Sequence, residues 1–265
     1  MQFIDKTLEG KRILVTGAGS GIGKASALLL ARAGAKLALV GRTADELIGV
    51  FEEAGGEPAG HLVIGADVAD EYEMIACYES ISNHWDGLEG VVANAGVNGV
   101  WASLEELKVN EWDQTLAINL RGTFLTVKFA LPYLKKHGGS VIIISSVNGS
   151  RMFSNSGATA YACSKAAQVA FAKMTALELA RDRIRVNVLC PGAIQTHIDD
   201  STERRKIEDL HLPVEFPAGD VPLTQGKPGS PEDVARLVWF LSSDASSHIS
   251  GTEIFIDGAQ SLLQG

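Results

Sequence analysis

The sequence predicts a doubly wound α/β fold, a mainly parallel sheet of seven strands with helices on both faces. Three observations predict it. Short β-branched runs alternate with longer helical patterns along the whole chain. The strand runs are continuously apolar, as at residues 141–144, which marks strands covered on both faces. The first strand runs straight into a glycine-rich turn that opens a helix, from Thr16 to Gly23. Such alternation places ligands at the carboxyl ends of the strands.

Strands are expected at 12–16, 36–40, 61–65, 90–93, 140–145, 185–190 and 253–256. Helices are expected at 21–33, 44–54, 71–84, 111–136, 160–180 and 230–242. The last has a clear start: Ser230 as N-cap, Pro231 in the first helical position, then Glu232 and Asp233 at the positive end of the dipole. Inside the 111–136 helix stands Asn119, a poor helix former, which predicts a local break or a bound water there; a solvated side chain is the plainer alternative. The 160–180 helix carries Ala162, Ala166, Ala167, Ala170 and Ala172, small enough for close helix–helix approach between subunits or for tight packing within one. Residues 196–224, with Pro213, Pro217 and Pro222, form the one long irregular stretch and read as a substrate flap. No linker, repeat or low-complexity tract interrupts the pattern, so residues 1–265 read as a single domain.

Composition removes several function classes. The 265 residues hold 23 Lys and Arg against 32 Asp and Glu, a formal charge of −9, which disfavours a nucleic-acid partner. No apolar run approaches the roughly 18 residues that span a bilayer, and the start has charges at Asp5, Lys6 and Glu9 without a signal-peptide core. Cys77, Cys163 and Cys190 are odd in number and far apart, which fits a reducing, cytoplasmic setting. The six histidines show no ligand spacing, so no metal is expected.

The motifs carry the chemistry. Gly17, Ser20, Gly21, Ile22 and Gly23 form a strand–helix turn whose backbone can approach a pyrophosphate at a helix N-terminus. Its spacing is Gly17-x3-Gly21-x-Gly23, with Ile22 where a GxGxxG pattern needs glycine. After the second strand, where an NAD site places a carboxylate for the ribose, stand Gly41 and Arg42, and the nearest carboxylate is Asp45 in the next helix. Arg42 could pair with a 2′-phosphate, so NADP(H) is the expected cofactor and NAD(H) the possible one; a solvated loop arginine is the alternative. Asp67 and Val68 follow the third strand, where the carboxylate could accept from adenine or simply cap a turn. Asn94, Ala95 and Gly96 follow the fourth, small enough for a flat cofactor to pass. Tyr161 and Lys165 lie on one helical face, and an ammonium near a phenol favours phenolate, making Tyr161 a usable acid/base. Taken alone, that spacing is common and is far more often a helical surface pair than a catalytic one. Ser145 and Ser146 end the fifth strand just upstream.

Together these motifs resemble the single-domain branch of the short-chain dehydrogenase/reductase family. The matching pieces also include Leu120 with Gly122, Pro191-Gly192 with Thr196, and the terminal Gly251 and Ile256-Asp257-Gly258. They occur in the family's order over nearly the whole chain. The resemblance implies a Rossmann-type fold with Tyr161 as general acid/base and Lys165 lowering its pKa while holding the nicotinamide ribose. It implies Ser146 on the substrate oxygen and Asn119 keeping a relay water. Pro191, Gly192, Ile194 and Thr196 would contact the nicotinamide end. Ser146 stands about two positions further from Tyr161 than the family usually has, so the loop before the helix is enlarged, and its Arg151, Met152 and Phe153 are candidates to shape the pocket. Ala93 stands where the family often has a second Asn.

The reading is therefore an NADP(H)-dependent oxidoreductase of a carbonyl/alcohol pair. The competing one is a catalytically silent sensor or scaffold of the same fold, which usually lacks the Tyr or the Lys. A methyltransferase would want an acid where Gly41 stands. The expected partners are a small-molecule substrate and further copies of this chain, as a homotetramer or dimer. The flap mixes Asp199, Asp200, Glu203, Arg204 and Arg205 with Leu210, Leu212 and Phe216, leaving a sugar or polyol, a β-ketoacyl thioester or a small ketone open.

Overall fold

The computed structural model describes residues 6–210 and 221–264. Seven parallel strands form the sheet in the order β3-β2-β1-β4-β6-β7-β9. In chain order they are β1 (Arg12–Thr16), β2 (Lys36–Gly41), β3 (Leu62–Gly65), β4 (Gly90–Ala93), β6 (Gly139–Ile144), β7 (Ile184–Pro191) and β9 (Glu253–Ile256). Order reverses between β1 and β4, and that switch point opens a crevice at their carboxyl ends. This is the doubly wound parallel fold expected of the sequence.

Alternation along each strand builds two cores. Leu14, Val40, Val91, Val141, Ile143, Val186 and Val188 face one layer, which holds α3 (Glu71–Ser82), α5 (Gly122–Leu134) and α6 (Thr159–Leu179). Ile13, Val15, Leu37, Leu39, Val92, Ile142 and Leu189 face the other, with α1 (Gly21–Arg32), α2 (Ala44–Glu53) and α7 (Pro231–Ser242). Burying both faces is what makes the strand runs read as unbroken apolar stretches. α7 begins as expected: Ser230 Oγ accepts from Asp233 N at 3.3 Å and Asp233 Oδ2 accepts from Ser230 N at 2.7 Å.

Three expectations are corrected. The 111–136 helix is three pieces: α4 (Val109–Leu116), a π-helical turn at Ala117–Arg121, and α5. The wide turn swings Asn119 inward, where it is fully buried. His61 precedes β3 rather than opening it, because its ring Nδ1 accepts the Leu37 N–H at 3.0 Å. Its Nε2 then carries the proton to Ala54 O at 3.1 Å.

The third correction concerns the flap. Its described part is tied to the body instead of running irregularly: β8 (Thr202–Arg204) pairs in parallel with a short β5 (Gly99–Trp101). Arg205 extends the tie by donating to both Glu111 oxygens, at 3.1 and 2.6 Å. Pro213, Pro217, Leu212 and Phe216 lie outside the described residues, as does Asp5. No helix among the described residues is long and apolar enough to cross a membrane.

Candidate active site

Two cavities lie along the carboxyl edge of the sheet and meet at Gly96. The first is lined by Gly17, Ser20, Arg42, Asp67, Val68 and Ala95, among others. The second, about 520 Å³, holds Ile22, Asn94, Ser146, Tyr161 and Lys165 and is closed by Pro191, Gly192, Ile194 and Thr196. The residues that the sequence singles out in separate motifs thus fall around one continuous crevice, with Gly23 and Asn119 just behind its wall.

The glycine turn is built for close approach. Gly17 and Gly21 hold φ of 63° and 50°, in the left-handed region. Gly23 packs against the Gly17 carbonyl, which a Cβ would meet at 1.9 Å, so its part is structural. A Cβ on Gly21 would stand 3.3 Å from Thr196, so the turn touches the loop after β7. Asn94 locks β4 to β1 by donating to Thr16 O at 3.0 Å and Gly17 O at 3.2 Å.

At the adenosine end, Arg42 has no ion-pair partner among the described residues. Asp67 Oδ1 accepts from Ala69 N at 2.9 Å, so it caps a turn while also lining the cavity. One residue escaped the sequence reading. Glu46, in the first turn of α2, lies across the glycine turn, with Oε2 2.7 Å from where a Cβ would stand on Gly19. A carboxylate therefore does border this cavity, although neither Gly41 nor Asp45 supplies it. Its signal was helical phase: three residues past Thr43, the side chain returns to the strand edge.

At the other end, Tyr161 is 7% exposed and Lys165 3%. Lys165 Nζ donates to Ile144 O at 3.0 Å and lies 5.5 Å from the Tyr161 ring centre. Burial pushes the Lys165 amine down to about 8. Burial also pushes the Tyr161 phenol up to about 12, against a hydrogen bond with Ser146 that lowers it and the Asp199 charge that raises it. The expected depression of the phenol by Lys165 is not the dominant effect in this state; desolvation is.

Ser145 and Ser146 separate cleanly. Ser145 Oγ donates to the Lys165 carbonyl at 2.8 Å, a structural bond, whereas Ser146 reaches Tyr161. Asn119 Nδ2 donates to Val97 O at 2.9 Å and Ser164 Oγ at 3.0 Å, and its Oδ1 accepts from Val97 N at 2.9 Å. Its carbonyl accepts from Gln168 Nε2 at 2.7 Å. Of the enlarged loop, Met152 lines the cavity, Arg151 stacks 3.5 Å over Phe255, and Phe153 stands in a neighbouring groove.

Residues present fit an extended dinucleotide. The glycines leave backbone uncovered along the first cavity, and the small Ala95 and Gly96 join it to the second. Lys165, almost fully buried, has one protein acceptor for three N–H groups, leaving donors for ligand hydroxyls.

A buried Tyr–Lys pair with a serine, at the switch point of a doubly wound sheet, defines a dinucleotide-dependent oxidoreductase. Comparisons agree with that class. A family model described as enoyl-(acyl carrier protein) reductase matches residues 17–259. A 3-oxoacyl-[acyl-carrier-protein] reductase of Thermotoga maritima is 36% identical over 252 residues, covering 95% of this chain and 98% of that protein. The crystal structure of a 3-ketoacyl-ACP reductase from Sinorhizobium meliloti superposes with a TM-score of 0.89 at 49% identity, covering 95% of this chain and 99% of that one. A 3-ketoacyl-(acyl-carrier-protein) reductase from Brucella melitensis, solved with NADH, gives 0.84 at 29% identity, over 96% and 99%. This chain belongs to the short-chain dehydrogenase/reductase family and is an oxidoreductase of alcohol/carbonyl chemistry.

Proposed function

We propose that the chain is an NADP(H)-preferring oxidoreductase that interconverts a carbonyl and an alcohol, with Tyr161 as general acid/base. The observation that carries this reading is the gathering of Ser146, the buried Tyr161 and the buried Lys165 on the wall of the second cavity, with Ser146 close enough to act on the phenol. A substrate oxygen placed between these two hydroxyls would receive a proton from Tyr161 on reduction and return it on oxidation. Ser146 would hold that oxygen by donating to it, and general acid–base help of this kind contributes ~10²–10⁴ in rate. When bound, the dinucleotide supplies the hydride for reduction or accepts it in oxidation.

Lys165 would hold the ribose hydroxyls and bring positive charge to the phenol's edge. Asn119 has its side-chain amide spent on Val97 and Ser164, so its proposed part is to position the helix bearing Tyr161. Arg42 supports the NADP(H) preference through charge-assisted pairing with a 2′-phosphate, and Glu46 tempers it. Tyr161→Phe is expected to cut turnover by at least a hundredfold while NADPH binding, followed by fluorescence, is retained. Undiminished turnover would overturn the assignment.

A further inference from the structure

We propose that the second cavity takes a neutral polyhydroxylated substrate, a sugar or polyol, and that Asp199 selects it by accepting a second substrate hydroxyl. The proposal rests on the carbonyl/alcohol reading of Tyr161 and Ser146 given above.

Charge is the first argument. Among the described residues, the charged side chains lining this cavity are Lys165 and Asp199. Lys165 is buried at the inner end against Ile144 O. A substrate reaching beyond the reacting carbon therefore meets a single charge, and it is negative. Asp199 is close enough for its field to act on the Tyr161 phenol. A carboxylate or phosphate on the substrate would be repelled by Asp199, and beyond the buried Lys165 no described residue lining this cavity offers a cation to receive it.

Hydrogen-bond sense is the second argument, and it separates the neutral candidates. The carboxylate of Asp199 only accepts. Asn155 Nδ2 donates to Asn148 Oδ1 at 2.9 Å, which leaves the Asn155 amide oxygen and the Asn148 amide N–H groups without partners among the described residues. The wall thus offers two acceptors and a donor. Hydroxyl groups supply both complements, since each donates once and accepts. A plain ketone brings an acceptor and carbon but no donor for Asp199 or for the Asn155 oxygen. A β-ketoacyl thioester carries its amide N–H and hydroxyl donors only out on the pantetheine arm, with none on the carbons next to the reacting carbonyl. Sites built to bond a hydroxyl reject analogues lacking it by factors of ~10⁴ or more where the polar groups are left unpaired. Trp101 and Met152 add the apolar surface that the carbon faces of a sugar need.

Position is the third. Asp199 stands in a single turn, Ile198–Ser201, that the body of the protein grips through one residue. Asn98, 5% exposed, donates from Nδ2 to Thr202 Oγ1 at 2.8 Å and Asp199 Oδ1 at 3.3 Å, and from its backbone to Ser201 Oγ at 3.0 Å. That grip uses one carboxylate oxygen and leaves the other. β8 then continues along β5, so the turn is fixed on both sides. The carboxylate is a placed group of the cavity wall.

The test is kcat/KM with NADP(H) and NAD(H) for three substrates: a four- to six-carbon polyol with its keto form, acetoacetyl-CoA, and cyclohexanone. Wild type should prefer the polyol pair by at least tenfold. Asp199→Asn, which keeps size and loses charge, should lower kcat/KM for the polyol pair ten- to a hundredfold, mainly through KM, and leave the other two within about threefold. The substitution also relieves the phenol of a neighbouring charge, but that acts on every substrate alike, so the ratio between substrates is the readout. Preference for acetoacetyl-CoA or cyclohexanone, or an equal loss on all three, overturns the polyol proposal while the carbonyl/alcohol reading stands. No turnover of any of them by wild type overturns both.

Discussion

Lys165 donates to the Ile144 carbonyl at 3.0 Å from a position 3% exposed, with no carboxylate paired to it among the described residues. The group is costly to the fold. Its pKa falls from 10.5 to about 8, so between those values the unfolded chain binds a proton that the folded chain does not. Stability therefore declines as pH falls through that window, and the deficit is complete below it, at about 3 kcal/mol. Lys165→Met should raise the unfolding free energy at pH 7 by about 2 kcal/mol, after about 1 is lost with the Ile144 hydrogen bond. Urea denaturation without cofactor checks this, and the gain should vanish above pH 10.5. Turnover should be lost in the same variant, the usual opposition between a site and its fold.

Arg42 and Glu46 border one cavity with opposite charges. Glu46→Gln should raise the NADP(H) over NAD(H) ratio of kcat/KM by about tenfold, the equivalent of ~1.4 kcal/mol of removed repulsion. Arg42→Ala should lower the same ratio by ten- to a hundredfold through NADP(H) alone. Paired cofactor titrations decide both, and a ratio unmoved by Arg42→Ala would remove the 2′-phosphate assignment.

His61 is 6% exposed and held neutral, burial lowering its pKa while Leu37 N–H occupies its Nδ1. The unfolded chain then binds the extra proton first as pH falls. Stability should drop as pH falls below about 6.5, the ordinary value for histidine. His61→Gln should flatten that part of the curve relative to wild type, measured as Tm between pH 5 and 8. A wild-type Tm no more acid-sensitive than the variant's would contradict it.

On α6, Met174 and Leu177 are 75% and 84% exposed, and Phe124 on α5 is 42% exposed. Apolar side chains grouped on an outward helix pair favour self-association. Light scattering at micromolar concentration should give a dimer or tetramer, and Leu177→Glu should reduce its mass. A wild-type monomer would refute the expectation.

Much of the fold was legible because it depends on local chemistry. Seven strands buried on both faces announce themselves as apolar runs, and the Ser230–Asp233 capping box announces α7. Tyr161, Lys165 and Ser146 were legible through their order and spacing. What escaped is long-range. β5 and β8 are three residues each, too short to show a period, and exist because they pair. The π turn follows from burying Asn119 against Val97, a partner 22 positions away. Asn98 looks like any loop asparagine until Ser201 and Thr202 arrive beside it.

The β5–β8 pairing has a kinetic consequence. Its two strands are separated by roughly a hundred residues, and β6 and β7 of the central sheet are threaded between them. Closing so large a loop for three residue pairs costs entropy that the ladder itself cannot repay. The ladder is therefore expected to form only after β6 and β7 have brought the ends together, so the substrate wall should assemble later and open earlier than the central sheet. In hydrogen exchange its amides should open well before those of β4 and β6, which lets the chain fashion its pocket independently of the framework that carries it.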